Sequence, residues 1–529
     1  MGTGSPEPSK LDVKCPISGY NPAMIPLLAN RFTVCLPPLW LVGAGVLLGG
    51  IALLAAYGLL RLLAPRLAAE ARASLSEGFL GPVAWLAFVC VAVAAATTPV
   101  VPVTTIVRSL GRIATAGETS RTVTVAANAR DQEIRLDVRP QEIESISLES
   151  DSPLSVRTQQ PIEGFAIVKV PVVELAAGVP WNWQRRPTRE RGSSALIAPA
   201  TPFLGAEAKL DATNPSAEPV ALRIRSTLAP EFPQAAMLPW SAAATIAVVG
   251  GYLLVRLGAG RVAAIAGATV KEAVAQPVFG VAVIIGAVLL FGFILIPYNT
   301  FGDDVKMLKD SGITLVKVMS LLVAVWTASV SVAEEIEGRT AMTVLSKPLT
   351  RREFFLGKFV GLVLVVTLVV LILGTILLAT TSYKVVYDAR ESAKTDPLWR
   401  DCADEVITVV PGLVLCWLEA IVLAAVSLTV STRLGLVPNI IISFGVYVLG
   451  HLVPLIVQSS VGKFAIVRFF GRLFATILPV LDHFTIEAAV MGGVAVPWIY
   501  LAWAGLYAAI YCAVVLLVGL ILFQHRDLA

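Results

Sequence analysis

The sequence predicts a polytopic α-helical membrane protein with about nine spans and an all-β, sandwich-like domain inserted near the N-terminal end. Three observations predict it. Apolar stretches of about twenty residues recur along the chain, each long enough at ~1.5 Å per residue to cross a hydrocarbon core. Charged residues make up only 15% of the 529, against about a quarter in soluble proteins, and the mean hydropathy is +0.78. One stretch, residues 116–235, reverses this composition and alternates apolar with polar side chains at the period of a strand.

Residues 1–115 form an N-terminal membrane region with two expected spans, 38–60 and 82–107. Arg61, Arg66 and Arg72 follow the first, and Pro99 and Pro102 predict that the second kinks or finishes early. Residues 1–35 are polar and proline-bearing, with a short interfacial helix over 22–32 and no readable chemistry. No cleavable signal is expected, because the first apolar run starts late and no small-residue cleavage site follows it.

In residues 116–235 the strand signal comes from Val123 and Val125, from Ile134, Leu136 and Val138, from Ile146 and Leu148, from Ile167, Val168 and Val170, and from Val220, Leu222 and Ile224. Turns such as Thr213-Asn-Pro-Ser216 separate the segments. The pattern predicts a small antiparallel β-sandwich. Trp181-Asn-Trp-Gln-Arg-Arg186 has the residue types of a binding edge for an external partner. The ordinary alternative, one core tryptophan and a mobile loop, is the preferred expectation.

Residues 236–260 supply a third span, 237–255, followed by Arg256. The last unit, 261–529, opens with an amphipathic segment whose apolar positions are Val262, Ile265, Ala266, Thr269 and Val270, with Lys271 and Glu272 opposite. Six further spans are expected at 278–297, 313–332, 359–380, 406–430, 436–457 and 497–523. Between the second and third of these lies a hydrophilic island, residues 333–358. Glu334 to Leu345 reads as a short amphipathic helix with an i,i+4 pair of Glu335 and Arg339, and Pro348 stops it. Thr350-Arg-Arg-Glu353 has the form of a capping box, so a new helix starts near Arg351.

The island carries a family resemblance. Glu335-Ile-Glu-Gly-Arg-Thr340, Leu345-Ser-Lys-Pro348, Arg351-Arg-Glu353 and Gly357-Lys358, in that order, closely resemble the segment after the second core helix in ABC-2 type permeases, the membrane subunits of one class of ATP-binding-cassette transporters. The likeness is closest to the nitrous-oxide-reductase maturation permease branch and covers residues 261–529, about half the chain. It implies an elbow helix before a six-helix ABC-2 core, a pair of membrane subunits (a homodimer or a related second permease), and a separate cytoplasmic ABC ATPase subunit. It also implies a coupling contact at Glu334, Glu335, Glu337, Gly338 and Thr340 together with Lys271 and Glu272, and a helix anchor at Arg351, Arg352 and Lys358. The alternative reading of the island is a solvated loop whose charges only set topology.

With the island cytoplasmic, alternation places the short basic loops on one side, the β-domain outside, the N-terminus outside and the C-terminus in the cytoplasm, as expected of a multi-pass protein of the cell membrane. Lys10, Lys14 and Arg31 argue mildly against an external N-terminus, and a re-entrant first segment is the alternative. Residues 464–474 and 478–491 are too short or broken to span, and resemble the external re-entrant helices of ABC-2 permeases.

The chain holds no Gly-x-x-x-x-Gly-Lys-Ser/Thr, so it is not itself the ATPase, and no triad, HExxH or metal spacing marks it as an enzyme or asks for a cofactor. A net charge of +4 gives no reason to expect nucleic acid. Glu419 and His451 lie within apolar runs; Glu419 is a candidate for the translocation path or a proton relay, with a buried carboxylate satisfied by a neighbouring helix as the equal alternative. His451, near the end of its run, is expected to make an interfacial hydrogen bond. The expected function is therefore a permease subunit of an ABC-2 type exporter. Its rivals are a secondary transporter, for which no repeat is visible, and a membrane-anchored receptor or scaffold acting through the β-domain.

Overall fold

The structure, a computed structural model, describes residues 31–75, 78–113, 117–139, 142–157, 172–184, 208–230, 232–296, 304–337, 350–391, 397–458, 477–486 and 496–524, with positions 469, 473 and 489. Among them, eight helices are long and apolar enough to cross a membrane. The protein is therefore a membrane-embedded, multi-pass helical protein carrying a small antiparallel β region.

The N-terminal helices are α1 (Leu36–Leu63), α2 (Pro65–Leu75), α3 (Leu80–Thr97) and α4 (Val103–Ile113). Proline in the first turn of α1 costs no hydrogen bond there. The second expected span finishes early, at Thr97, ahead of Pro99 and Pro102. The Trp40 Nε1–H of α1 donates to Thr98 Oγ1 at 3.1 Å, which ties the two helices at that end.

Eight strands follow in two four-stranded sheets, ordered β1-β8-β3-β6 and β2-β7-β4-β5. They are β1 (Gly117–Val125), β2 (Gln132–Arg135), β3 (Ile143–Ser150), β4 (Leu154–Arg157), β5 (Val172–Leu175), β6 (Trp181–Gln184), β7 (Lys209–Thr213) and β8 (Val220–Leu228). The alternating residues from both sheets, including Val125, Ile134, Ile146, Leu148, Val156, Leu210, Leu222 and Ile224, form one buried apolar cluster. Trp181 and Trp183 do not lie in a loop. They pair opposite Leu148 and Ile146 on edge strand β6 and pack half-buried on that core. Ile167, Val168, Val170, Arg185 and Arg186 lie outside the described residues.

After the sandwich come α5 (Met237–Gly258), α6 (Gly260–Ala275), α7 (Pro277–Leu295), α8 (Asp304–Glu337), α9 (Arg351–Glu391), α10 (Trp399–Ser431), α11 (Leu436–Gln458) and α12 (Trp498–Gln524). The side chains of α11 are described only as far as Leu452, and that apolar part is too short to count among the eight. The helix α10 is buried along nearly its whole length and packs on α8, α9, α11 and α12. Three helices are longer than the sequence predicts: α8 begins at Asp304 rather than Ile313, α9 runs to Glu391, and α10 begins at Trp399. At 1.5 Å per residue α9 is about 60 Å long, twice a hydrocarbon core.

No break separates Glu334–Glu337 from α8, so the described part of the expected short amphipathic helix is the last turn of a long one. Of the two expected re-entrant segments, 464–474 is outside the described residues except for isolated positions; within 478–486 the structure has a single 3-10 turn, Leu481–Phe484.

Candidate functional site

At the end of the bundle where the island joins, α6 lies across the first turns of α9. Its buried face is Ala263, Ala266, Thr269, Val270 and Ala273, as an amphipathic period dictates. Two glycines one turn apart let the backbones meet. A Cβ on Gly357 would lie 2.6 Å from Ile265 Cβ and 3.0 Å from Val262 O, and one on Gly361 would lie 2.7 Å from Thr269 Cβ. Ion pairs flank the contact: Arg261 Nη1 to Glu353 Oε1 at 3.3 Å, solvent-screened, and Lys358 Nζ to Glu272 Oε2 at 3.6 Å. Lys358 is buried, with Nζ 5.8 Å from the Phe354 ring centroid.

The capping box is present. Thr350 N–H donates to Glu353 Oε2 at 2.8 Å, and Glu353 N–H to Thr350 Oγ1 at 3.2 Å. Arg351 Nη1 donates to Gln524 O at 2.9 Å and Arg433 Nη2 to Leu522 O at 2.8 Å, so two guanidinium groups cap the last carbonyls of α12. Of the remaining expected coupling or anchor residues, Arg352 and Lys271 are exposed. Glu334, Glu335 and Glu337 lie on α8 with side chains outside the description, and Gly338 and Thr340 are outside the described residues.

Deeper in the bundle the structure adds buried ionisable groups that the sequence reading did not name beside Glu419 and His451. Three buried lysines each meet a carboxylate. Lys309 Nζ of α8 lies 2.7 Å from Glu405 Oε2 of α10 and donates to Thr408 Oγ1 at 3.1 Å. Lys384 Nζ of α9 lies 3.8 Å from Asp304 Oδ2 and donates to Ile294 O at 3.0 Å. Lys317 Nζ lies 3.7 Å from Glu419 Oε2, whose other oxygen is 2.8 Å from His451 Nε2. A lone charge at such depth costs several kcal/mol, so each pair holds its helices together by making separation expensive.

Glu419 is thus paired with two neighbouring helices, hydrogen-bonded at Oε1 and ion-paired without a hydrogen bond at Oε2, and the partner of His451 is that carboxylate rather than an interfacial group. Sequence reasoning missed Lys309, Lys384, Glu405 and Asp304, which lie outside the apolar runs. It also missed Lys317, which was visible as a lysine four residues into the expected 313–332 span. Among the described residues no cluster of His, Cys, Asp or Glu could hold a metal ion.

At the base of the sandwich, Arg112 Nη2 lies 2.7 Å from Glu142 Oε2. The chain leaving the sandwich docks on the start of α10: Phe232 packs on Trp399 at 4.7 Å between centroids, and Gln234 Nε2 donates to Asp404 Oδ1 at 2.7 Å.

Residues 276–529 match a family model described as a protein of unknown function (DUF2705). The match begins one residue before α7 and takes in α7 to α12, leaving out the sandwich and α6. No curated protein matches the chain.

Proposed function

We propose that the chain is the membrane permease subunit of an ABC-2 type transporter, working as an exporter in the cell membrane. It pairs with a second permease, either another copy or a related chain, and is powered by a separate cytoplasmic ATPase that binds and hydrolyses ATP. The observation that carries the reading is the docking of α6 on the first turns of α9 beside the polar island. Motion applied to the island reaches α8 directly through Glu334–Glu337. It reaches α9 through the contact made by Gly357, Gly361 and the Lys358–Glu272 pair. Closure of an ATPase dimer against Glu334, Glu335, Glu337, Gly338, Thr340 and Lys271 would therefore move two central helices together.

On this reading the N-terminus and the β-domain face outward, the C-terminus faces the cytoplasm, and the sandwich meets an external partner or cargo. The test is capture of the tagged chain from its native membranes in gentle detergent, with mass spectrometry for a soluble Walker-motif ATPase. A stoichiometric ATPase that is lost on Glu335→Lys and Glu337→Lys substitution is the expected result. Repeated absence of any ATPase from intact, folded protein overturns the reading and moves the working part to the β-domain of a membrane-anchored receptor.

A further inference from the structure

The helices α8, α10 and α11 meet at two levels, and the two are chemically different. Near one end the contact is neutral: Asn439 Nδ2 of α11 donates to Ser329 Oγ of α8 at 2.8 Å and to Ser427 Oγ of α10 at 3.1 Å, all buried. About three turns away along α8 and α11, and about two along α10, the same helices meet through Lys317, Glu419 and His451. Here one carboxylate serves two nitrogen groups, and it sits closer to the imidazole, at 2.8 Å, than to the ammonium, at 3.7 Å. Glu419 is 0% exposed and Lys317 6%, but the His451 side chain keeps 23% of its surface open. The imidazole is therefore the most open of the three groups.

We propose that His451, Glu419 and Lys317 form a proton-binding site inside the bundle, at which protonation of His451 draws the single carboxylate away from Lys317 and loosens α8 from α10. The charge balance gives the direction. With neutral His451 donating from Nε2 to Glu419, the site holds one cation and one anion. A proton added at Nδ1 turns the His451–Glu419 bond into an ion pair and leaves two cations on Glu419 in a low-dielectric setting. The ammonium on its flexible stem, already the more distant partner, is the group that yields.

Among the described residues, titratable groups on the neighbouring elements have partners of their own. On α8 and α10, Lys309 and Glu405 pair with each other, and on α9 Lys384 pairs with Asp304. From α12, Tyr507 accepts from Val480 N–H, Tyr511 donates to Ile477 O and Cys512 donates to Ile421 O. In the 3-10 turn, Asp482 accepts from Thr485 and His483 packs on the Tyr507 ring. That turn sits against Gly450, where a Cβ would lie 2.8 Å from Pro479 O, so the chain closes tightly beside His451. Tyr447 packs edge-on against the His451 ring at 4.9 Å between centroids. The neutral Ser329–Ser427–Asn439 level does not titrate in this range, so a proton changes one level and leaves the other as a pivot.

The experiment is amide hydrogen exchange on the full chain in lipid nanodiscs at about pH 5.5 and about pH 8, corrected for the intrinsic pH effect, reading peptides from α8. The wild type is expected to exchange several-fold faster around Lys317 at the lower pH. His451→Gln should abolish that difference and His483→Gln should keep it, with His451→Asn as the second variant should the first not assemble. Equal exchange at both pH values in the wild type overturns the proposal, as does a difference that survives loss of His451 or disappears with His483. No partner chain is present in the measurement, so its outcome is independent of whether an ATPase binds the polar island.

Discussion

The sandwich and the helical bundle bury opposite things. In the sandwich a central apolar cluster fills the space between the sheets and its charges pair at the surface, as Lys209 does with Glu133 at 2.8 Å, with Glu142 buried only at the base against Arg112. In the bundle the outward faces carry exposed Leu, Ile, Val and Phe, while Lys309, Lys317, Lys384 and Glu419 lie inside. The difference follows from what surrounds each part. Water solvates a surface charge and screens its pairing, so the outer pairs of the sandwich add little. A bilayer solvates neither charge nor backbone, so the ionic groups of the bundle go inward and must find partners there.

The strongest way to break the comparison is to give the sandwich what the bundle tolerates. Leu222→Lys places an ammonium among the apolar side chains of the core, at a cost comparable to the whole stability of a small domain, about 5–15 kcal/mol. Limited proteolysis should then cut freely within residues 117–228 while the helices stay protected.

The reciprocal change in the bundle is smaller. Glu405→Gln takes the paired carboxylate from Lys309 and should cost about 3–5 kcal/mol in thermal unfolding, whereas Lys309→Met with Glu405→Leu should be near neutral or stabilising. A double variant as unstable as the single one would mean that the pair is needed for more than mutual neutralisation.

The smallest effect tests the sandwich surface. Burial, and then the neighbouring Asp131, push the Asp211 carboxyl above the ordinary carboxylate range. A raised acid is a penalty on the folded state wherever it is ionised. The penalty is absent below the unfolded-state value, sets in as pH rises through the interval up to the folded-state value, and is complete above it. Asp211→Asn should therefore stabilise the sandwich slightly at neutral pH and leave it unchanged in acid, read as the variant's unfolding temperature against pH.

The same contrast explains what could be read from the letters. The alternation at Val123, Val125, Leu222 and Ile224, and the capping box at Thr350 and Glu353, depend on neighbours in sequence and were legible. The starts of α8 and α10 were not, because a window that averages hydropathy stops at Asp304, Lys306 and Lys309 or at Asp401, Asp404 and Glu405. In three dimensions Lys309 and Glu405 neutralise each other across two helices, a pairing that no local window contains. Lys317 was legible as an intramembrane cation, but its partner lay a hundred residues away. The contact between α6 and α9 was half legible: the amphipathic face showed in the sequence, but the role of Gly357 and Gly361 as the surface it meets required both helices in place.

The sandwich enters on β1 and leaves on β8, which are neighbours in one sheet with Gly117 directly opposite Leu228. The chain thus departs from the helices and returns to them at points about one strand spacing apart. An insertion with adjacent ends can be gained or lost in one genetic step, closed over by a short turn, without respacing the helices on either side. The sandwich of this protein is in that sense exchangeable: a lineage could swap one inserted domain for another while the charged interior of the bundle stayed as it was.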